Sequence, residues 1–287
     1  KVREQDKNPE KALFKEGEEV MKKKIKRSEY TGEVARVPYV YVHSMGRIWA
    51  AQNRRVKDYN LEWGAGRCRF ELYEPYSLSP IDMQNYLALL HVLQHPVDFS
   101  VVQDIYSEDK YKMTMKMRAL YSVLDLPNAG SSRSDLKKSL QWHADSRFRV
   151  IDPGTGSRVT YYGMGIHNGR LEFDGKGRGG GTVIFHIDKA LVDDSGITEN
   201  VSRVIGYKTG MAKLIDFLVM GKLDAGVDLS YKGWMEALTR EGRMDNFKRD
   251  IEPALEEISA RDFLMEFRED GMKIKYCGSK QKALSSQ

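Results

Sequence analysis

An α+β fold in two successive units is what this sequence predicts, and three observations predict it. Segments with apolar residues at helical spacing alternate with segments whose apolar residues recur at every second position. Turn sequences rich in Gly, Asn and Asp separate the segments of the second kind. One order of elements (helix, strand, helix, helix, hairpin) occurs at about 79–190 and again at about 205–278, without sequence identity between the two stretches. The length of 287 residues fits about two domains. Their expected bounds are 36–200 and 201–287, preceded by a flexible charged arm over 1–35.

The arm mixes both charges, as in "EEVMKKKIKRSEYTGE", and shows little apolar periodicity. "VPYVYVH" (37–43) and "RCRFELY" (67–73) alternate as strands do. The first helix opens at "SPIDMQNYLALLHVL", with Ser79 as N-cap and Pro80 where a helix tolerates proline. Met83, Leu87, Leu90 and Leu93 make its apolar stripe. A second helix is expected from about Met113 to Leu126. A third follows the turn at 127–130, with Ser132 and Asp135 at capping-box spacing and Leu136 and Leu140 facing inward. "RFRVID", "RVTYYGMGI", "RLEFD" and "TVIFHID" then read as strands.

The order restarts at "TGMAKLIDFLVMG", a helix with Thr209 as cap and Gly221 after its end. "VDLS" is a short strand, and "SYKGWMEAL" a helix capped by Ser230. "RMDNFKRDIEPALEEIS" carries Met244, Phe247, Ile251, Leu255 and Ile258 on one stripe, and Pro253 should kink or split it. "DFLMEFREDGMKIKYC" is a hairpin turned by Asp270-Gly271. This is the order of a winged helix, so the expected architecture is two tandem winged-helix domains.

Bulk properties exclude several classes. Hydrophobic residues make up 41% and charged residues 30%, and no apolar run approaches the length of about 18 residues that spans a membrane. The arm lacks the apolar stretch of a signal peptide, and the two cysteines carry no metal-ligand spacing, so a reduced, cytoplasmic setting is expected. "GKGRGG" (175–180) fits G-x-G-x-x-G, but a strand follows it where a dinucleotide site needs a helix. There is no P-loop and no H-E-x-x-H pair. His91 and His95 stand four apart without Cys or carboxylate partners and read as packing residues. Tyr161 and Tyr162 read as strand packing residues. No catalytic residue, cofactor or metal is therefore expected.

Charge placement points to nucleic acid. The net charge of +5 only permits an anionic partner, but its distribution is informative. In the second unit the stripe leaves Arg243, Asn246, Lys248 and Arg249 on the other faces of the third helix, near its start and close to Arg240. A recognition helix meets base edges with its N-terminal residues, and Arg and Asn can make two hydrogen bonds to guanine and adenine. Lys273 and Lys275 sit on the hairpin, suited to phosphate. In the first unit Ser132, Arg133 and Ser134 open the third helix, Lys137 and Lys138 continue its face, and Lys176 and Arg178 lie in a glycine-rich loop. The competing reading of each helix is an amphipathic core helix with a solvated polar face.

"FKRDIEPALEEIS" (247–259) resembles the recognition-helix segment of iteron-binding, RepE-type plasmid initiators, in which a proline is expected. "GYKTGMAKLIDFLVMG", "LSYKGWMEAL" and "SDLKKSLQWHADSRFRVID" fall in the order of the TrfA family, so that residues from about 60 to 277 resemble plasmid replication initiators. The resemblance implies binding of double-stranded DNA at direct repeats, opening of an adjacent AT-rich segment with contacts to the single-stranded DNA, and recruitment of host initiator, replicative helicase and sliding clamp. It also implies a switch between monomer and dimer. The family's clamp-binding peptide has only a poor counterpart in "EKALF" (10–14). The alternatives are a winged-helix transcriptional regulator or partition protein, and an enzyme whose site is scattered along the chain.

Overall fold

A computed structural model of the chain describes residues 34–38, 59–63, 66–73, 78–126, 130–151, 158–174, 181–193, 196–220, 226–238, 240, 242–261 and 263–277. The elements, in order, are β1 (Val34–Pro38), β2 (Tyr59–Trp63), β3 (Gly66–Tyr73), α1 (Pro80–Gln94), β4 (Val102–Ile105) and β5 (Lys110–Lys116). Next come α2 (Met117–Val123), α3 (Gly130–Asp145), β6 (Arg147–Ile151), β7 (Arg158–Tyr162), β8 (Ile166–Asp174) and β9 (Thr182–Asp188). Then follow α4 (Ala190–Asp193), β10 (Gly196–Asn200), α5 (Val201–Ile205), α6 (Gly210–Met220) and β11 (Val227–Ser230). The last are α7 (Tyr231–Ala237), α8 (Met244–Ser259), β12 (Phe263–Phe267) and β13 (Gly271–Tyr276). The fold is α+β.

The strands form four antiparallel sheets among the described residues, in the orders β2-β3-β6-β7, β4-β5-β9-β8, β11-β13-β12 and β1-β10. In the second of these, Met113 and Met115 of β5 lie opposite Phe185 and Val183 of β9, and all four are buried. That pairing explains why the helix expected from Met113 begins only at Met117. The methionines alternate inward with period two, and the sheet overrides their helical propensity. The hairpin strand β4 has no counterpart in the sequence reading.

α1 is the shared support of the molecule. It packs against β1, α2, α3, α4, α5 and α6, and twelve of its residues are buried. A helix buried over most of its surface must be apolar nearly all round, and its buried polar members have partners. Asn85 donates to Ser139 Oγ (3.0 Å), Tyr86 donates its hydroxyl to the Met164 carbonyl (2.8 Å), and the Gln94 amide bridges Arg36 and Leu191 carbonyls. Its capping box is complete: Ser79 Oγ accepts from the Asp82 amide while the Asp82 carboxylate accepts from the Ser79 amide.

In the later half, α6, α7 and α8 pack together over the sheet β11-β13-β12. Thr209 Oγ1 caps α6 through Ala212 N–H, and Ser230 Oγ caps α7 through Gly233 N–H. Trp234 is fully buried and donates its indole N–H to the Met272 carbonyl, pinning α7 to β13. At Gly271 the sheet closes so tightly that a Cβ would lie 2.3 Å from the Leu229 carbonyl oxygen, which explains the glycine of the Asp270-Gly271 turn.

Other boundaries differ from the sequence reading. β1 starts at Val34, inside the expected arm and three residues ahead of the expected strand, because its pairing with β10 buries Ala35 and Val37. α3 starts at Gly130, so Ser132 lies within its first turn and is not its cap. Pro253 does not split α8, which runs unbroken from Met244 to Ser259. The proline sits on the exposed side, so the one carbonyl deprived of its helical donor faces solvent. The arm residues 1–33, the strand residues 39–43, Gly221 and the loop of Lys176 and Arg178 lie outside the described residues.

Candidate nucleic-acid interface

α8 is amphipathic along its whole length. Phe247, Ile251, Ala254, Leu255 and Ile258 are buried against α6, α7 and β12. The opposite side stands in solvent. Arg243 and Arg249 expose 85% and 74% of their side chains, and Asn246 and Lys248 are exposed beside them. The two guanidiniums touch only solvated neighbours among their ion pairs, Asp245 at 3.9 Å and Asp250 at 3.7 Å. Pairs of this kind are worth at most about 1 kcal/mol and leave a guanidinium available to a stronger anion. Lys248 Nζ lies 4.5 Å from the Tyr231 ring centre on α7, an arrangement that steadies the ammonium without neutralising it. Arg240, just ahead of the helix, is half-buried, and its amide donates to the Met235 carbonyl.

The helix is cationic only at this end. Beyond Arg249 its polar residues include Asp250, Glu252, Glu256 and Glu257. Glu257 turns inward to accept from the Lys208 and Thr209 amides, tying α8 to the start of α6. A polyanion can therefore meet the N-terminal half of α8 and is repelled by the other half.

The hairpin is less basic than its lysines imply. Lys273 is half-exposed and lies opposite Asp228 on β11 and Glu266 on β12, whereas Lys275 lies opposite Leu264. Asp228 also holds Arg268 at 2.8 Å. The tip carries the exposed Glu269 and Asp270. Sequence spacing shows the lysines of one strand; it does not show the carboxylates that pairing sets beside them.

In the earlier half, α3 presents Ser134 and Lys138 to solvent, with Ser132, Arg133 and Lys137 half-buried. The Arg133 guanidinium carbon lies 6.0 Å from the Tyr121 ring centre. The inward side of α3 is held by Leu136, Leu140 and His143. The His143 ring stacks on Tyr86 at 5.0 Å, and its Nδ1 bonds the Ser139 carbonyl at 2.8 Å. Burial pushes this imidazole down from the ordinary 6.5 to about 4, so it is neutral at pH 7. Each half thus carries one helix clamped on its inner face with polar and basic groups at the outer N-terminal end.

No group of His, Cys, Asp and Glu residues suited to a metal ion occurs among the described residues, and no helix among them is long and apolar enough to cross a membrane. The His91 and His95 rings lie 4.5 Å apart, tilted by 44°, and His95 Nδ1 bonds the His91 carbonyl.

No protein-family model matches the sequence, and no curated protein matches it. Solved structures share the fold, two of them of RctB. One, of selenomethionine derivatives of domains 2 and 3 of RctB, superposes with a TM-score of 0.56 at 9% identity, over 84% of this chain and 98% of that one. The other, of RctB domains 2–3 spanning its residues 155–483, gives 0.51 at 10% identity with the same coverage. The α+β arrangement described above is thus that of RctB domains 2 and 3, across both halves of this chain.

Proposed function

We propose that this chain is a non-enzymatic, sequence-specific double-stranded DNA-binding protein that initiates replication of a plasmid-type replicon by binding direct repeats at an origin. The observation that carries the reading is the N-terminal half of α8, where Arg243, Asn246, Lys248 and Arg249 stand exposed on a helix clamped along its other side. The order α6, β11, α7, α8, β12, β13 with the sheet β11-β13-β12 fits a winged helix. On this reading α8 enters one major groove. Asn246 and Arg249, three apart on the helix, address base edges, while Arg243 and Lys248 address phosphates. α3 meets the next major groove, about one helical turn away, through Ser132, Arg133, Ser134, Lys137 and Lys138. Lys273 and Lys275 contribute less, because carboxylates flank the first of them.

The fold shared with RctB, a replication initiator, supports initiation over transcriptional regulation or partition, since the likeness extends over both halves and not over one DNA-binding module. Strand opening, contacts to the single strand, recruitment of host initiator, helicase and clamp, and a monomer–dimer change belong to the same proposal. The test is a footprint on the DNA flanking the gene, with affinity measured against salt. Protection at regularly spaced direct repeats, and a log affinity that falls linearly with log salt, are the expected results. Binding indifferent to both salt and sequence would sink the reading.

A further inference from the structure

The connector between the two halves contains an ionic cluster that the DNA reading does not use. Arg203 of α5 donates from Nε and Nη2 to the two oxygens of Asp216 on α6 (2.7 and 2.9 Å), and from Nη2 to Glu199 Oε1 of β10 (2.9 Å). Glu199 is 1% exposed, Asp216 0% and Arg203 7%. The guanidinium carbon lies 5.3 Å from the Phe263 ring centre on β12 and 4.8 Å from the Tyr276 ring centre on β13. The cluster therefore joins the connector to α6 and to the hairpin of the later half. With both acids ionised the cluster would carry one uncompensated negative charge, in a place where burial strongly disfavours it. Among the described residues, Glu199 Oε2 is buried and meets no hydrogen-bond partner. A bare carboxylate oxygen is the costliest atom to leave that way, and a neutral carboxyl oxygen far less so.

We propose that Glu199 carries a proton in the folded chain, and that this proton is a latch: when it leaves to solvent, the second negative charge beside Asp216 loosens β10 and α5 from the later half and so relaxes the spacing between α3 and α8. The consequence for DNA rests on the function proposed above; the latch itself does not. The Asn200 amide donates to Glu199 Oε1 (2.8 Å) and favours its ionised form, but burial outweighs it. On α6, Lys213 is one turn from Asp216, but its Nζ is spent on the Val204 and Ile205 carbonyls (2.7 and 3.3 Å), and burial lowers it to about 8. Glu257 of α8 faces Lys213. After α5, Tyr207 lies beside Asp216, and its ring is 5.5 Å from the Arg261 guanidinium carbon. Tyr276 offers a ring face. β1 sets only Ala35 opposite Glu199. Burial, and then the Asp216 charge, drive the Glu199 carboxyl well above the usual carboxylate range. Burial also raises Asp216, though the Arg203 charge opposes that shift.

A carboxyl held protonated in the fold binds a proton that the unfolded chain gives up, so stability falls as pH rises above the ordinary carboxylate value, until the folded group also ionises. Glu199→Gln keeps the neutral shape and removes this loss. Urea unfolding of wild type and Glu199→Gln from about pH 5 to about pH 9 should show the variant's advantage in folding constant growing with pH, by at most about tenfold per pH unit. A constant ratio overturns the assignment. Growth in Asp216→Asn but not in Glu199→Gln moves the proton to Asp216 and also overturns it. If Glu199→Gln does not fold, the carboxyl carbon shift of Glu199 in the wild type at neutral pH decides, because acid and carboxylate resonate apart. Amide exchange in 196–205, corrected for intrinsic rate, should rise with pH in wild type and not in the variant; equal profiles sink the latch. If these arms succeed while affinity for direct-repeat DNA shows no difference in pH dependence between the two proteins, the effect on the α3–α8 spacing is overturned and the latch stands; a chain that binds no such DNA at any pH overturns the proposed function instead and leaves the latch untouched.

Discussion

α3 and α8 have the same length, 16 residues, and occupy corresponding places in the two halves, yet they are anchored by different chemistry. α8 is held mainly by an apolar stripe, Phe247, Ile251, Ala254, Leu255 and Ile258, with Glu257 as an inward polar tie. α3 is held by two leucines and a set of neutral polar bonds, in which Ser139 serves both Asn85 and His143. Apolar anchoring is indifferent to pH and tolerates rotation. Hydrogen bonds fix rotation and register, and they bring a titratable ring into the core. The two helices also differ outside: α8 offers exposed Arg and Asn, the base-reading types, whereas α3 offers Ser and Lys, which suit phosphate. Under the proposed function, the later half suits base reading and the earlier half suits positioning.

The largest expected effect breaks the anchor of α8. Phe247→Ala removes a side chain that is 4% exposed and should cost about 3–5 kcal/mol in urea unfolding. A loss below about 1 kcal/mol would mean that α8 is not clamped as described. The next effect belongs to α3 alone. His143 is fully buried and its imidazole is lowered from 6.5 to about 4, so the unfolded chain takes up a proton that the folded chain refuses. Stability contributed by the neutral ring is present above about pH 6.5 and is lost as pH falls toward 4, on the order of 3 kcal/mol in full. His143→Phe keeps the stacking on Tyr86 and should flatten this acid limb; parallel limbs in the two proteins would remove the pH contrast between the helices.

Much of the fold is legible in the sequence because its signals are local. Ser79, Thr209 and Ser230 each cap through an amide three residues away, and Asp270-Gly271 turns between strands that it adjoins. Features set by distant pairing are not legible. β5 reads as the start of a helix until β9, some 70 residues on, is laid beside it. Lys273 reads as a free cation until Asp228 and Glu266 flank it. Nothing in the string around Glu199 announces burial, since a Glu, an Arg four residues on and an Asp 13 residues further look like surface charges. For α8 the candidate surface is legible residue by residue, because an amphipathic helix carries its burial pattern in its own periodicity.

The smaller effects concern binding and sharpen the contrast between reading and positioning. Asn246→Ala and Arg249→Ala, both exposed, should leave the unfolding midpoint unchanged and weaken cognate DNA by about 1–3 kcal/mol each, with much less effect on random duplex. Equal losses on both DNAs would assign them to phosphates and end the distinction between the helices on that side. Lys138→Ala on α3 should do the opposite. It removes an exposed ammonium, so cognate and random DNA should weaken by the same few-fold factor, and the log–log salt slope should become shallower by about one. A sequence-dependent loss at Lys138 would make α3 a second reader. In that case the neutral bonds that fix its rotation, Asn85 to Ser139 and His143 to the Ser139 carbonyl, would be what holds its side chains in register with the bases, and DNA specificity itself should decline over the acid range in which His143 takes up its proton.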